Sequence, residues 1–254
     1  MHPIADPWFY AAAIPAVFLV GLSKGGFGGT FAMLGVPLMA LVISPLQAAG
    51  IMLPILLLMD GVALVAYKGR ADWRTLLILL PAAIAGIGIG WATASYVDEA
   101  VMTLVIGLIA VAFVADYVFK RKGTSEPADH NVPKGVFWGT IAGITSFVSH
   151  TGGPPFQMYT LPLRLPPVLF AGTAVIFFAV VNTVKVAPYF FLGQFDATNL
   201  ATSAMLFPLA LVATLIGVRL VKIVKAETFY RLLYAFMGLI GLKLLYDGAI
   251  VLIA

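Results

Sequence analysis

The chain contains no cysteine and very little charge. Without a thiol, disulfides, thiolate metal sites and cysteine catalysis are all excluded. Charged residues make up 10% of the chain, whereas a soluble domain carries about a quarter, so water is not the solvent for most of its surface. No P-loop, dinucleotide-binding glycine fingerprint or H-E-x-x-H sequence occurs. Ser149 beside His150 is adjacency along the chain, not the geometry of a nucleophile and its base. The sequence therefore predicts neither an enzyme nor a resident metal or cofactor. The net charge of +4 comes from short basic clusters between apolar runs. That pattern fits cytoplasmic loops beside anionic lipid, not a nucleic-acid partner. The start of the chain has His2 and Asp6 but no Lys or Arg, and no clean cleavage pattern follows. It is expected to stay on the mature protein rather than act as a signal peptide.

What the chain has is apolar length: 61% of its residues are hydrophobic. A bilayer core of about 30 Å needs roughly 20 apolar residues per helix. The runs Ala48–Tyr67, Leu76–Tyr96, Val101–Phe119, Leu169–Leu192 and Leu200–Leu220 meet that requirement. The one extended polar stretch, Lys120–Lys134, divides the chain near its middle. The expected organisation is a first membrane repeat over residues 1–119, a cytoplasmic linker over 120–134 and a second membrane repeat over 135–254.

The two halves share an ordered series of matches. Gly28-Gly29 recurs 124 residues later as Gly152-Gly153. Ala49-Gly50, Asp60 and Tyr67 recur at a spacing of 122 as Ala171-Gly172, Asn182 and Tyr189. Gly69-x-x-Asp72 recurs at 124 as Gly193-x-x-Asp196. Five matches in order indicate an internal duplication. The equivalent loops differ in charge: Lys68, Arg70 and Arg74 flank the first Gly-x-x-Asp turn, and none flanks the second. In the next pair, Tyr96–Ala100 is acidic, while Arg219–Arg231 holds four basic residues. Basic loops face the cytoplasm, so equivalent loops lie on opposite faces and the repeats are inverted. The predicted fold is an all-α polytopic membrane protein of two inverted repeats. Each repeat is a broken glycine-rich hairpin followed by three transmembrane helices, and both termini are periplasmic. Every Lys and Arg except Lys24, Lys185 and Lys243 then falls on the cytoplasmic side.

The hairpins are read from segments short for a full span: Trp8–Leu22 and Phe31–Ile43, then Gly135–Ser149 and Phe156–Leu163. Their tips run from Ser23 to Thr30 and from Ser149 to Gln157. Irregular backbone at membrane depth survives only inside protein or beside a wet cavity. Helices restarting after such breaks aim free N–H groups at the tip, an arrangement suited to an anion. The candidate substrate-binding residues are Ser23, Lys24, Gly25, Gly26, Gly28 and Gly29, with His150, Thr151, Gly152, Gly153, Gln157 and Asn182. The bland reading is close helix packing through small residues, which accounts for the glycines but not for the Lys, His, Ser and Thr gathered with them. Lys24 carries the positive charge, and His150 holds the matching place in the second tip. Asp60 neutralises Lys24 or Lys185, or relays protons. Asp60 and His150 are the coupling candidates, with protons or sodium as the coupling ion. Lys185 is read as snorkelling to an interface. Trp8, Trp73, Trp91 and Trp138 fit interfacial anchoring or packing.

The stretches GLSKGGFGG at Gly21–Gly29, SHTGGPPFQMY at Ser149–Tyr159, LFAGTAVIFFAVVNTVK at Leu169–Lys185 and LGQFD at Leu192–Asp196 resemble the TauE/SafE sulfite exporter family, also called the toluene-sulfonate uptake permease family. The resemblance covers essentially the whole chain. It implies a multi-pass carrier of the bacterial inner membrane for sulfite, an organosulfonate or another small anion. Such a carrier draws on an ion gradient rather than ATP, and its glycine-rich segments line the substrate path. Pro154-Pro155 departs from a simple glycine repeat, so the tips are not strictly equivalent. The resulting expectation is a secondary transporter working by alternating access, with an anion channel or a carrier of a small carboxylate as alternatives.

Overall fold

A computed structural model describes residues 3–93 except Thr30, residues 127–253, and seven positions between 104 and 118. The acidic loop at Tyr96–Ala100, most of the expected span Val101–Phe119 and the first seven residues of the linker lie outside the described residues. Among the described residues the protein is all-helical, and five of its helices are long and apolar enough to cross a membrane. The helices are α1 (Pro7–Lys24), α2 (Gly35–Met39), α3 (Pro45–Ala66), α4 (Trp73–Ala92), α5 (Val132–Ser149), α6 (Gly153–Thr160), α7 (Pro167–Phe191), α8 (Ala197–Ile223) and α9 (Ala226–Ile253). The five span-length helices are α1, α3, α4, α7 and α8. The sequence underestimated α1. Asp6 caps it by accepting from Trp8 N, and it runs 18 residues to Lys24, about 27 Å at 1.5 Å per residue.

The repeated Gly-x-x-Asp turns have a plain local cause. Gly69 and Gly193 take φ of +73° and +69°, and a side chain at either would meet open space. The left-handed conformation, not crowding, is what asks for glycine there. Three residues later the carboxylate caps the next helix: Asp72 accepts from Thr75 N, and Asp196 accepts from Thr198 N and Asn199 N. Asp72 is also bonded to His130 at 2.7 Å, which ties the described end of the linker to the start of α4. Burial alone would raise the Asp72 carboxyl, but the hydrogen bonds from Thr75 and His130 and the His130 charge outweigh it and hold it below its ordinary value.

Each turn docks on the start of the other half's central helix. The Arg70 carbonyl lies over Gly172 near the start of α7, and the Gln194 carbonyl lies over Gly50 near the start of α3. Helices α3 and α7 therefore run antiparallel. The outer helices exchange partners in the same way, α1 packing on α8 and α4 on α5. Glycine lets both pairs close. Gly143 and Gly86 face the backbone carbonyls of Ala83 and Thr140 between α4 and α5, while Gly25 and Gly217 meet between α1 and α8.

The ends of the bundle differ in charge. One end gathers the α3–α4 turn, the start of α5, the chain entering α7 and the junction of α8 and α9. Lys222 lies over the Tyr67 ring there, and Ala128 N donates to the Pro162 carbonyl. Lys68, Arg70, Arg74, Lys134 and Arg164 belong to this end. The other end joins Ile4 to Thr202 and Gln47 to Asn199, and the segments meeting there carry no Lys or Arg.

A methyl group added at Gly143 would sit 2.1 Å from the Ala83 carbonyl oxygen, whereas one at Gly88 would touch nothing. Gly143→Ala is expected to lose about 1–3 kcal/mol from overpacking, read as a lower melting temperature in detergent. Gly88→Ala is expected to melt with the parent.

Candidate functional site

The first tip begins where α1 ends. After Lys24 the chain passes through Gly26, Gly28 and Gly29 at φ of +145°, +63° and +76°, a path closed to most side chains. Ser23 holds this loop together. Its carbonyl accepts from Gly26 N and Phe27 N, and its hydroxyl accepts from Phe31 N at 2.9 Å. Tyr67 adds a bond from its hydroxyl to the Gly25 carbonyl at 2.6 Å.

The second tip is built differently. His150 follows α5 in the left-handed conformation, φ +57°. Thr151 is turned back on Thr145, donating through both its N–H and its hydroxyl to the Thr145 carbonyl. Helix α6 then starts at Gly153 with Pro154 and Pro155. Proline has no N–H, so two of the donors expected at this helix start do not exist. The first tip likewise continues into a single 3-10 turn at Ala32–Leu34 before the five-residue α2. Side chains, rather than free helix ends, are the main donors here. Nor are Lys24 and His150 equivalent in place: Lys24 is the last residue of its helix, and His150 is the cap beyond its own.

The tips nevertheless meet. Gln157 donates from Nε2 to the Gly28 carbonyl at 3.1 Å, and the Cα of Gly153 lies against Gly29. Beside this contact is a small cavity with Lys24, Ser146, His150 and Asn182 on its wall, completed by Gly29, Gly153 and apolar side chains including Phe178. Its free space is about 10 Å³, room for about one water. Lys24 is buried at 4% exposure, and its Nζ lies 2.7 Å from Asp60 Oδ1. The other Asp60 oxygen accepts from Asn182 Nδ2 at 2.6 Å. The ammonium also stands over the Phe178 ring, 5.0 Å from its centroid.

Lys185 lies elsewhere than its place along the span suggests. It does not snorkel: its exposure is 0%. Its Nζ lies 3.0 Å from the Ser146 carbonyl, 3.1 Å from the Ser146 hydroxyl and 2.8 Å from His150 Nδ1. Sequence reasoning missed both Lys185 and Ser146. The available signal was helical spacing, because Asn182, Lys185 and Tyr189 at i, i+3 and i+7 share one face of α7. Thr173, by contrast, belongs to the scaffold, accepting from Asp72 N at 2.8 Å and donating to the Leu169 carbonyl. Thr30 lies outside the described residues.

Removing one partner of a buried ion pair strands the other charge, at a cost of about 3–5 kcal/mol. Asp60→Leu alone is expected to show such a loss in detergent unfolding. Lys24→Met/Asp60→Leu is expected to recover most of it, because no charge is left without a partner.

The comparisons with known proteins agree on one group. The family model described as sulfite exporter TauE/SafE matches residues 13–244. A protein of Cupriavidus necator named "Probable sulfite/organosulfonate exporter TauE" is 25% identical over 178 residues, 68% of each chain. No solved structure matches. With a match across nearly its whole length, the chain belongs to the TauE/SafE sulfite exporter family.

Proposed function

We propose that this protein is a secondary transporter of a small sulfur oxyanion, sulfite or an organosulfonate, held between the two glycine-rich tips. The observation that carries the reading is the Lys24 ammonium buried on the wall of a cavity where the tips touch. A lysine at membrane depth costs about 2.5–3.5 kcal/mol to insert, so it normally has a partner or a task. Lys24 has a partner in Asp60, and its place on the cavity wall gives it a task. The three oxygens of a sulfonate match the ammonium, the Asn182 amide and the imidazole of His150 as donors.

Alternating access is supported by two features. The cavity is far smaller than a sulfonate, so loading it requires the tips to part. The two halves also exchange helices about residues that are equivalent in sequence. Asp60 bonds Asn182 at the repeat spacing of 122, and Gly29 touches Gly153 at 124. Equivalent residues meet each other only beside an axis relating the halves, the relation expected of inverted repeats that rock against one another. The gathering of basic residues at one end supports a bacterial inner-membrane orientation with that end cytoplasmic and both termini periplasmic.

Two experiments test the proposal. Purified protein is expected to gain thermal stability from sulfite or a sulfonate, about 2.7 kcal/mol at one hundred times Kd, and Lys24→Ala to lose that gain. Equal response of the variant, or no response of wild type to any sulfur oxyanion, would reject the site. Because the chain has no cysteine, single cysteines report topology cleanly. Gly193→Cys is expected to react with an impermeant maleimide on intact cells and Gly69→Cys only after lysis; the same reactivity at both would reject the inverted arrangement.

A further inference from the structure

The site contains a second lysine that the proposed function does not use. Lys24 is matched by Asp60, so that pair adds no net charge, and a bound anion would bring its own charge unbalanced into a dry space. Lys185 is fully buried on α7, and among the described residues no carboxylate lies within ion-pair distance of it. Its neighbours are the Ser146 carbonyl and hydroxyl and the His150 ring. Ser146 and His150 are themselves on the cavity wall, so Lys185 stands directly behind it.

Resting on the transport reading, we propose that the Lys185–His150 pair takes up one proton when the anion binds and gives it up when the anion leaves, making the protein a proton–anion cotransporter. The physical reason is charge balance. A lone ammonium in a dry interior is costly without a counter-charge, and two bases 2.8 Å apart share a single proton instead of holding two. In the empty site Lys185 is the free amine and His150 the neutral imidazole. When the anion enters, one proton from water joins the pair, and the ammonium hydrogen-bonds to His150 Nδ1. The loaded site is then neutral overall: Lys24 against Asp60, and the protonated pair against the anion. Release of the anion removes the counter-charge and the proton follows.

The charged and titratable groups around the pair come from four elements: Lys24 on α1, Asp60 on α3, His150 after α5, and Tyr189 on α7, whose hydroxyl lies 3.4 Å from His150 Nε2. Asp60 is the less suitable proton carrier. Both of its oxygens are engaged, by Lys24 and by Asn182, and protonating it would strand Lys24. Lys185 acts through His150 and Ser146, so it is a positioning and charge-balancing residue rather than a direct ligand.

The test is calorimetric titration of the purified full chain with sodium isethionate, a sulfonate that stays ionised throughout the working range. It is run at one pH in two buffers of different ionisation enthalpy, with methanesulfonate and sulfite as further probes. Wild type is expected to take up about one proton per isethionate, and its affinity to fall about tenfold per pH unit once the empty pair is deprotonated. Lys185→Gln keeps a donor for Ser146 and His150 but cannot titrate, and it is expected to bind with no proton uptake and no pH slope. Isethionate binding to wild type without proton uptake would overturn the proposal, as would undiminished uptake by Lys185→Gln, which would leave the proton on His150 or Asp60 with no part for Lys185. Should Lys185→Gln not fold, Lys185→Met is titrated in its place, with the same two outcomes deciding. Failure of wild type to bind any of the three anions would reject the transport site itself, an outcome separate from binding without a proton.

Discussion

A buried ammonium without a counter-charge is among the costliest things a membrane protein can contain, and the centre of this structure is arranged around preventing it. Lys24 ends α1 and Asp60 lies two-thirds of the way along α3, so their 2.7 Å pair joins two segments of the first half. Asn182 on α7 bonds the remaining Asp60 oxygen, which fixes the second half against the first. Asp60 thereby holds together Lys24 and Asn182, two of the polar side chains on the cavity wall. A change at any of them is therefore felt in folding and in the site together.

Around that centre the bundle is held by proximity of backbones. Added methyl groups would fall within 3 Å of a carbonyl oxygen at Gly143, Gly86, Gly25 and Gly217, and at Gly50 and Gly172 where each turn docks on the opposite half. In lipid the hydrophobic effect does not press helices together, so close van der Waals packing through small residues takes its place. The resulting pattern is reciprocal, with each half completed by helices of the other. Packed interfaces of this kind have discrete arrangements and resist gradual distortion.

The two tips divide their labour unevenly. The first is glycine bent back on Ser23 and Tyr67, and it delivers Lys24. The second carries prolines where donors would otherwise stand, and it delivers His150, with Lys185 behind it. Charge in the site thus comes from side chains on long helices and their caps, which are better fixed in position than mobile loops.

The sequence by itself determined the solvent, the helices and the tips. Composition required lipid, apolar length set α3, α4, α7 and α8 to within a few residues, and glycine with polar neighbours marked Ser23–Thr30 and Ser149–Gln157. The repeat was legible because turns have local causes: a left-handed glycine and an aspartate cap must recur wherever the same turn recurs. Only the tertiary structure decided who pairs with whom. Asp60 had two lysines to choose from; the packing of α1 on α3 gave it Lys24, and α3 running antiparallel to α7 gave it Asn182. Lys185 read as an interfacial residue because position along a span says little about what faces it across the bundle. Its burial against Ser146 and His150 depends on the packing of α5 on α7, a long-range contact that no local pattern encodes.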